Sequence, residues 1–274
     1  MRLTIRHETI YRYAEPARAV IQHLRMTPRG YDGLFLRKWR VEIDADCRLD
    51  KDEDSFGNVM HSFSAEGPLT ELRVLAHGDV ETTDTHGVVR STYERLPMPV
   101  WQRETALTRP SPDIIEFAHD IAGGEGGDRL ATLHAINAAL FRSMTFAPGD
   151  THAGTTARDA FKARRGVCQD FAHVFLAAAR VLDFPGRYVS GYYLRTDTTQ
   201  QEAGHAWAEI FVDGIGWIAF DPAHNLCPTD RYVRVAVGQD YLDAAPIRGA
   251  RMGGDGETLT VSVEVTQGPT ILEM

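Results

Sequence analysis

Three residue types that can work together lie far apart in this chain: Cys168 in RRGVCQDFAHVF, His205 in GHAWAEIFVDG, and Asp221 in GWIAFDP. A thiolate is a strong nucleophile for carbonyl carbon, an imidazole can hold it ionised and later pass on a proton, and a carboxylate can orient that imidazole. Each residue alone has a plainer reading. A cysteine among apolar residues is most often a small core residue. A strand histidine is most often a satisfied structural group, and an aspartate before proline is most often a turn former. Their joint order is harder to obtain by accident.

Cys168 follows Gly166 and Val167 and opens a segment in which Phe171, Val174, Phe175, Ala178, Val181 and Leu182 recur at helical spacing. Phe184-Pro185-Gly186 stops it. The sulfur is therefore expected at a helix N-terminus. That position stabilises negative charge by about 0.3–1 kcal/mol, up to ~2 when partly buried. This matches roughly one unit of acidity, since a unit is about 1.36 kcal/mol. Deeper activation of a thiol needs a cationic imidazole at contact distance.

His205 is the candidate for that imidazole, and hairpin parity tests whether Asp221 can reach it. Residues 205, 207, 209 and 211 share one face of a strand, and 217, 219 and 221 share one face of the next. A two-residue loop at Gly214-Ile215 would set Asp221 against Ala208, on the wrong side. A three-residue loop, Asp213 to Ile215, sets Asp221 against Trp207 and places His205 diagonally, about 7–8 Å away. It also gathers Ala206, Ala208, Ile210, Val212, Ile218 and Phe220 on one apolar face. An odd loop or bulge is therefore expected here.

These elements sit in a chain of 274 residues with an ordinary globular balance. The first 100 residues read as β-rich, with alternation in LTIRHETIYRY and turn signals at Pro28-Arg29-Gly30 and Ser55-Phe56-Gly57-Asn58. They suggest an antiparallel sandwich of short strands. The proline-bearing stretch from Leu96 to Asp113 reads as a connection, with 101–113 as the linker. Residues 114–266 read as an α+β unit: helices over Ile114–Ile121, Asp128–Met144, Arg158–Ala163 and Cys168–Leu182, then strands over Arg187–Leu194, His205–Val212, Trp217–Phe220, Tyr232–Val237 and Thr258–Val265. Residues 267–274 read as a loosely held tail.

GVCQDFAHVFLAAARVLDFPGRYVSGYY, GHAWAEIFV and GWIAFDPAHN resemble the transglutaminase-like cysteine-enzyme superfamily in its bacterial form. HETIYRYAEPARAVIQHLRMTPR resembles the N-terminal β-domain of bacterial members, and VAVGQDYLDAAPIRG their C-terminal stretch. The resemblance implies an N-terminal antiparallel β-sandwich-like domain followed by a papain-like α+β catalytic domain. It implies Cys168 as nucleophile, His205 as base and acid, and Asp221 as orienting carboxylate. PAHN after Asp221 departs from the more usual Pro-Thr-Asn of relatives.

Other residues carry two readings each. Gln169 can donate to an oxyanion beside the Cys168 backbone N–H, or be an ordinary first-turn residue. Trp207 and Trp217 share the His205 and Asp221 faces and either shield that pair or fill core. Tyr188 and Tyr192 alternate on one strand face and either line a pocket or pack. His173, five residues after Cys168, points away from it and reads as structural. His224 and Cys227 lie near Asp221, but the spacing fits no zinc pattern, so no metal and no cofactor is expected.

The net charge of −9 argues against a nucleic-acid partner. No stretch approaches the roughly 20 apolar residues of a membrane span. MRLTIRHETIYRYAEP does not read as a secretory signal. Three widely spaced cysteines suggest neither a disulfide framework nor a CxxC site, so a reducing cytoplasm is expected. The expected chemistry is acyl transfer from a peptide or protein amide, with hydrolysis favoured over transamidation. The alternative is a catalytically silent peptide-binding module on the same fold.

Overall fold

The computed structural model describes residues 1–92 and 94–268. It begins with β1 (Arg2–Thr27), β2 (Leu34–Ile43), β3 (Asp50–Glu53), β4 (Val59–Thr82) and β5 (Val88–Val89). Next come α1 (Met98–Trp101), α2 (Pro112–Gly124), α3 (Arg129–Ser143), β6 (Thr145–Phe146), α4 (Ala157–Ala163), β7 (Arg165–Gly166) and α5 (Cys168–Val181). Then follow β8 (Gly186–Tyr193), β9 (Gln200–Gln201), β10 (His205–Val212), β11 (Gly216–Phe220), β12 (Tyr232–Gly238), α6 (Tyr241–Ala244), β13 (Ile247–Gly253) and β14 (Glu257–Gln267).

β1 alternates as its sequence demands: Leu3, Ile5, His7 and Thr9 point inward and are buried. The N-terminal region is β-rich as expected, but two strands of 26 and 24 residues replace the short segments. Pro16 does not break β1. It sits where the pairing with β4 is irregular, between Arg12 and Ala17, a position that costs no ladder hydrogen bond.

The first sheet has the order β2-β4-β1-β14-β9, with β13 also on β1 and β3 on β4. Along one edge of β1, Leu3 to Tyr13 pair with β14 and Ala17 to Leu24 pair with β13. The last two strands thus return to the N-terminal sheet, although the sequence grouped Thr258–Val265 with the second unit. Gln267 pairs with Leu3; the rest of the expected tail, from residue 269, lies outside the described residues.

The second sheet runs β12-β8-β10-β11-β5, all antiparallel. Its inner face carries Ala206, Ala208, Ile210, Ile218 and Phe220, which pack around α5 with Phe171 and Phe175. Burying each such phenylalanine contributes on the order of 1.5–3 kcal/mol. Leu3, Ile5, Val263 and Val265 join the same core from the first sheet, so one apolar interior ties both sheets together.

The outer face of the second sheet buries Trp101, Trp207 and Trp217. Beside them Glu209 bonds Arg187 and Arg234 (Nε–Oε distances 2.5 and 2.9 Å), with all three side chains nearly inaccessible. The segment expected to link the units is itself packed: Arg180 of α5 donates to the Trp101 carbonyl and to Thr108 Oγ1. No helix among the described residues is long and apolar enough to cross a membrane.

Candidate active site

Cys168 is the first residue of α5. The entrance is built by its own sequence. Asp170, at the third helical position, accepts from the Val167 N–H (2.8 Å) and from Thr151 Oγ1 (2.7 Å). The Asp170 N–H returns to the Val167 carbonyl at 2.9 Å, a reciprocal clasp that fixes the first turn. Gly166 makes room for it: a Cβ there would stand 2.6 Å from Asp170 Oδ2. Burial pushes the Asp170 carboxyl upward, opposed by the Thr151 and Val167 hydrogen bonds. Sequence reasoning missed Asp170 and Thr151; an acidic residue two positions after the cysteine was the available signal.

β10 and β11 are joined by Asp213, Gly214 and Ile215, with Val212 opposite Gly216 and Ala208 opposite Phe220. This is the three-residue loop the parity argument required. Gly214 and Gly216 take φ values of 80° and 104°, in the region that favours glycine. His205 Nε2–H then donates to Asp221 Oδ2 at 2.7 Å. The remaining ring nitrogen, Nδ1, is left for Cys168, which lines the same cavity and whose charge acts on the imidazole.

Asp221 is fully buried and saturated. Its Oδ2 also accepts from His224 Nδ1–H (2.8 Å) and the Tyr232 hydroxyl (2.8 Å), and its Oδ1 from the Ala223 N–H (3.0 Å). Burial opposes ionisation, but the charges and hydrogen bonds of His205 and His224 hold the carboxyl far below the usual carboxylate range. For His205, burial opposes the cation, while the charges of Asp221 and Cys168 and the hydrogen bond to Asp221 overcome it, raising its pKa to about 10. Burial and then the charge of Asp221 push the Tyr232 phenol well up, so it stays a neutral donor.

An aromatic wall surrounds the imidazole–carboxylate bond. Tyr193 lies 4.9 Å from His224 and 4.5 Å from Tyr232 between ring centres, and Trp207 meets Tyr232 edge-on at 5.4 Å. Trp207 thus backs the site. Trp217 does not reach it: its ring stacks under Arg187 at 4.0 Å and packs on Phe211 and Trp101, covering the buried ion network. Of its two readings Trp217 takes the core-filling one, and Tyr193 and Tyr232 do the shielding. They face each other across β8 and β12, a pairing that needs the strand order and is not written locally.

The Gln169 side chain is turned towards the Ala153 carbonyl, with Nε2 at 3.4 Å. Tyr188 and Tyr192 are buried and line one cavity with Cys168 and His205. Tyr192 is also packed, its hydroxyl bonded to His7 Nδ1 at 3.0 Å. His173 is fully buried, accepts from the Tyr241 N–H at 3.1 Å, and is kept neutral by burial, its pKa lowered to about 3.

Among the described residues, one group has ligand atoms close enough for a metal: those of His205, Asp221 and His224, within 4.8 Å of one another. Both imidazoles already spend their facing N–H on the carboxylate. Cys227 stands apart, against Gly87.

Residues 115–222 match the transglutaminase-like superfamily core, and residues 3–81 match the bacterial transglutaminase-like N-terminal region. An uncharacterized protein of Mycobacterium leprae is 33% identical over 97% of this chain and 99% of its own length. The chain belongs to the transglutaminase-like superfamily. An uncharacterized protein of Mycobacterium bovis is 26% identical over 96% of this chain and 92% of its own. A solved structure from Cytophaga hutchinsonii, named as a candidate cysteine protease, superposes with a TM-score of 0.79 at 20% identity, covering 100% of this chain and 92% of that one. This transglutaminase-like chain shares that fold across both of its sheets.

Proposed function

We propose that the protein is a thiol-dependent acyl-transfer enzyme acting on peptide or protein amides in the cytoplasm. The observation that carries the reading is a helix-end cysteine sharing one cavity with a buried imidazole whose Nε2 is held by a buried, ionised carboxylate. The name of the Cytophaga hutchinsonii neighbour points the same way.

In this reading the Cys168 thiolate attacks the amide carbonyl carbon. The oxyanion is met by the Cys168 backbone N–H, which has no acceptor within its own helix. The C–N bond breaks as the proton on His205 passes to the leaving amine, and the acyl group stays on sulfur as a thioester. Water then gives a proton to His205 and adds to the thioester, releasing the acid and restoring the ion pair. An amine in place of water would give transamidation. We favour hydrolysis.

Intact mass after brief mixing with activated acyl esters tests this. One acyl adduct on Cys168 that decays with time is expected, absent in Cys168→Ala and slowed in His205→Ala. Adducts spread evenly over Cys47, Cys168 and Cys227 would overturn it.

A further inference from the structure

The cavity in front of Cys168 has a volume of about 260 Å³, room for one amino-acid side chain rather than a drug-sized ligand. One of its walls comes from α5 and β8. The opposite wall comes from the first sheet: Thr9 and Tyr11 of β1, Ile247 of β13, Leu259 and Val261 of β14. The N-terminal sheet is therefore part of the site.

Several polar groups lining this space are already engaged. His7 bonds the Tyr192 hydroxyl at 3.0 Å and approaches Thr9 Oγ1 at 3.4 Å. Ser190 Oγ donates to the Ala244 carbonyl at 2.6 Å. Arg25 is paired with Asp54 at 2.6 Å, both side chains largely buried. His7 is neutral at pH 7, burial lowering its pKa to about 4, and burial keeps the Tyr188 and Tyr192 phenols neutral. Apart from the Cys168–His205 pair, the cavity offers a guest no unspent charge among the described residues. It does offer carbon, from Tyr11, Val235, Ile247, Leu259 and Val261.

We infer that this cavity, completed by the first sheet, selects an apolar or aromatic side chain on the acyl half of the substrate, with Val261 and Leu259 as specificity-determining residues. The inference rests on the acyl-transfer reading and narrows it. A charged side chain would shed its water without finding a partner. A change of about one methylene in an apolar pocket is worth roughly 10-fold or more in kcat/KM, so Phe or Leu is favoured over Gly by at least that factor.

N-acetyl-aminoacyl chloromethyl ketones with Phe, Leu, Gly, Gln, Lys and Glu side chains provide the test. Inactivation rates are divided by each reagent's rate with a free small thiol. Phe and Leu are expected to exceed Gly about tenfold, with Lys and Glu slowest. Val261→Phe should bring the Phe:Gly ratio close to one. If that variant fails to fold, Leu259→Trp, at the half-exposed rim, asks the same question. Binding of N-acetyl-Phe-amide and N-acetyl-Lys-amide to Cys168→Ala gives a readout free of chemistry, and only the first should bind. Rapid labelling with no dependence on side chain would overturn the pocket and leave acyl chemistry standing. Selective binding with a sluggish Cys168 would do the reverse.

Discussion

Asp221→Asn is the sharpest perturbation of this site. The substitution keeps shape but removes the charge that does most to make His205 basic. A pKa of about 10 against an ordinary 6.5 corresponds to a net preference for the imidazolium of about 5 kcal/mol. Asp221 contributes more of this than Cys168 does, so its loss should remove ~3 kcal/mol or more. Burial is then opposed by only about 2 kcal/mol, and the ring should lose its proton roughly two pH units lower. The asparagine cannot satisfy all its neighbours either. If its oxygen meets His205, His224 and Tyr232, its amide N–H₂ faces the Ala223 N–H that Oδ1 now accepts. The assay is iodoacetamide labelling of Cys168 against pH, followed by mass, with Cys47 and Cys227 as internal controls. In the wild type, His205 keeps its proton up to about pH 10 and Asp221 stays ionised far into acid, so the cation beside Cys168 is present throughout and Cys168 should label faster than Cys47 or Cys227, whose thiols burial pushes up. In Asp221→Asn that advantage of Cys168 should shrink by up to about 100-fold, the counterpart of ~3 kcal/mol. Equal rates in a variant whose thermal melt shows it folded would refute the ion-pair argument.

Three further outcomes follow from buried groups. Gly166→Ala forces a methyl to within 2.6 Å of Asp170 and should weaken the clasp at the α5 entrance by about 0.5–2 kcal/mol, read from urea midpoints together with slower Cys168 labelling. His7 and His173 are held neutral down to about pH 4 and 3, while the unfolded chain protonates them near 6.5. The unfolded state therefore binds more protons below 6.5, and stability should fall on acidification by about 1.36 kcal/mol per pH unit for each; unchanged denaturant midpoints between pH 6.5 and 5 would contradict this. Glu209→Gln leaves Arg187 and Arg234 buried with no countercharge at 209, and a loss of about 3–5 kcal/mol is expected in equilibrium unfolding.

What the sequence disclosed and what it withheld divide along one physical line. Helical spacing placed Cys168 at a helix start, and strand parity with an odd loop placed His205 diagonal to Asp221. Both are relations within one or two adjoining elements, where 3.6- and 2-residue periods fix direction. Parity alone also put Trp217 on the right face, but a face is longer than a site, and Trp217 lies beside Glu209 and Arg187 instead. Tyr232 and Tyr193 meet only because β12 lies next to β8, a non-local pairing. His224 was visible as the odd residue in PAHN; its bond to Asp221 Oδ2 needed the turn geometry after β11.

The same limit explains the fate of the last two strands. Alternation in ETLTVSVEVTQ makes a strand and says nothing about which sheet receives it. Pairing with β1 buries Val263 and Val265 in the core around α5 and carries Leu259 and Val261 to the cavity before Cys168. Ending the chain before residue 247 would therefore strip one edge from β1 and one wall from the cavity while leaving Cys168, His205 and Asp221 in the chain. Such a truncation should lose side-chain discrimination and thermal stability together, because a single set of inward-facing residues supplies both.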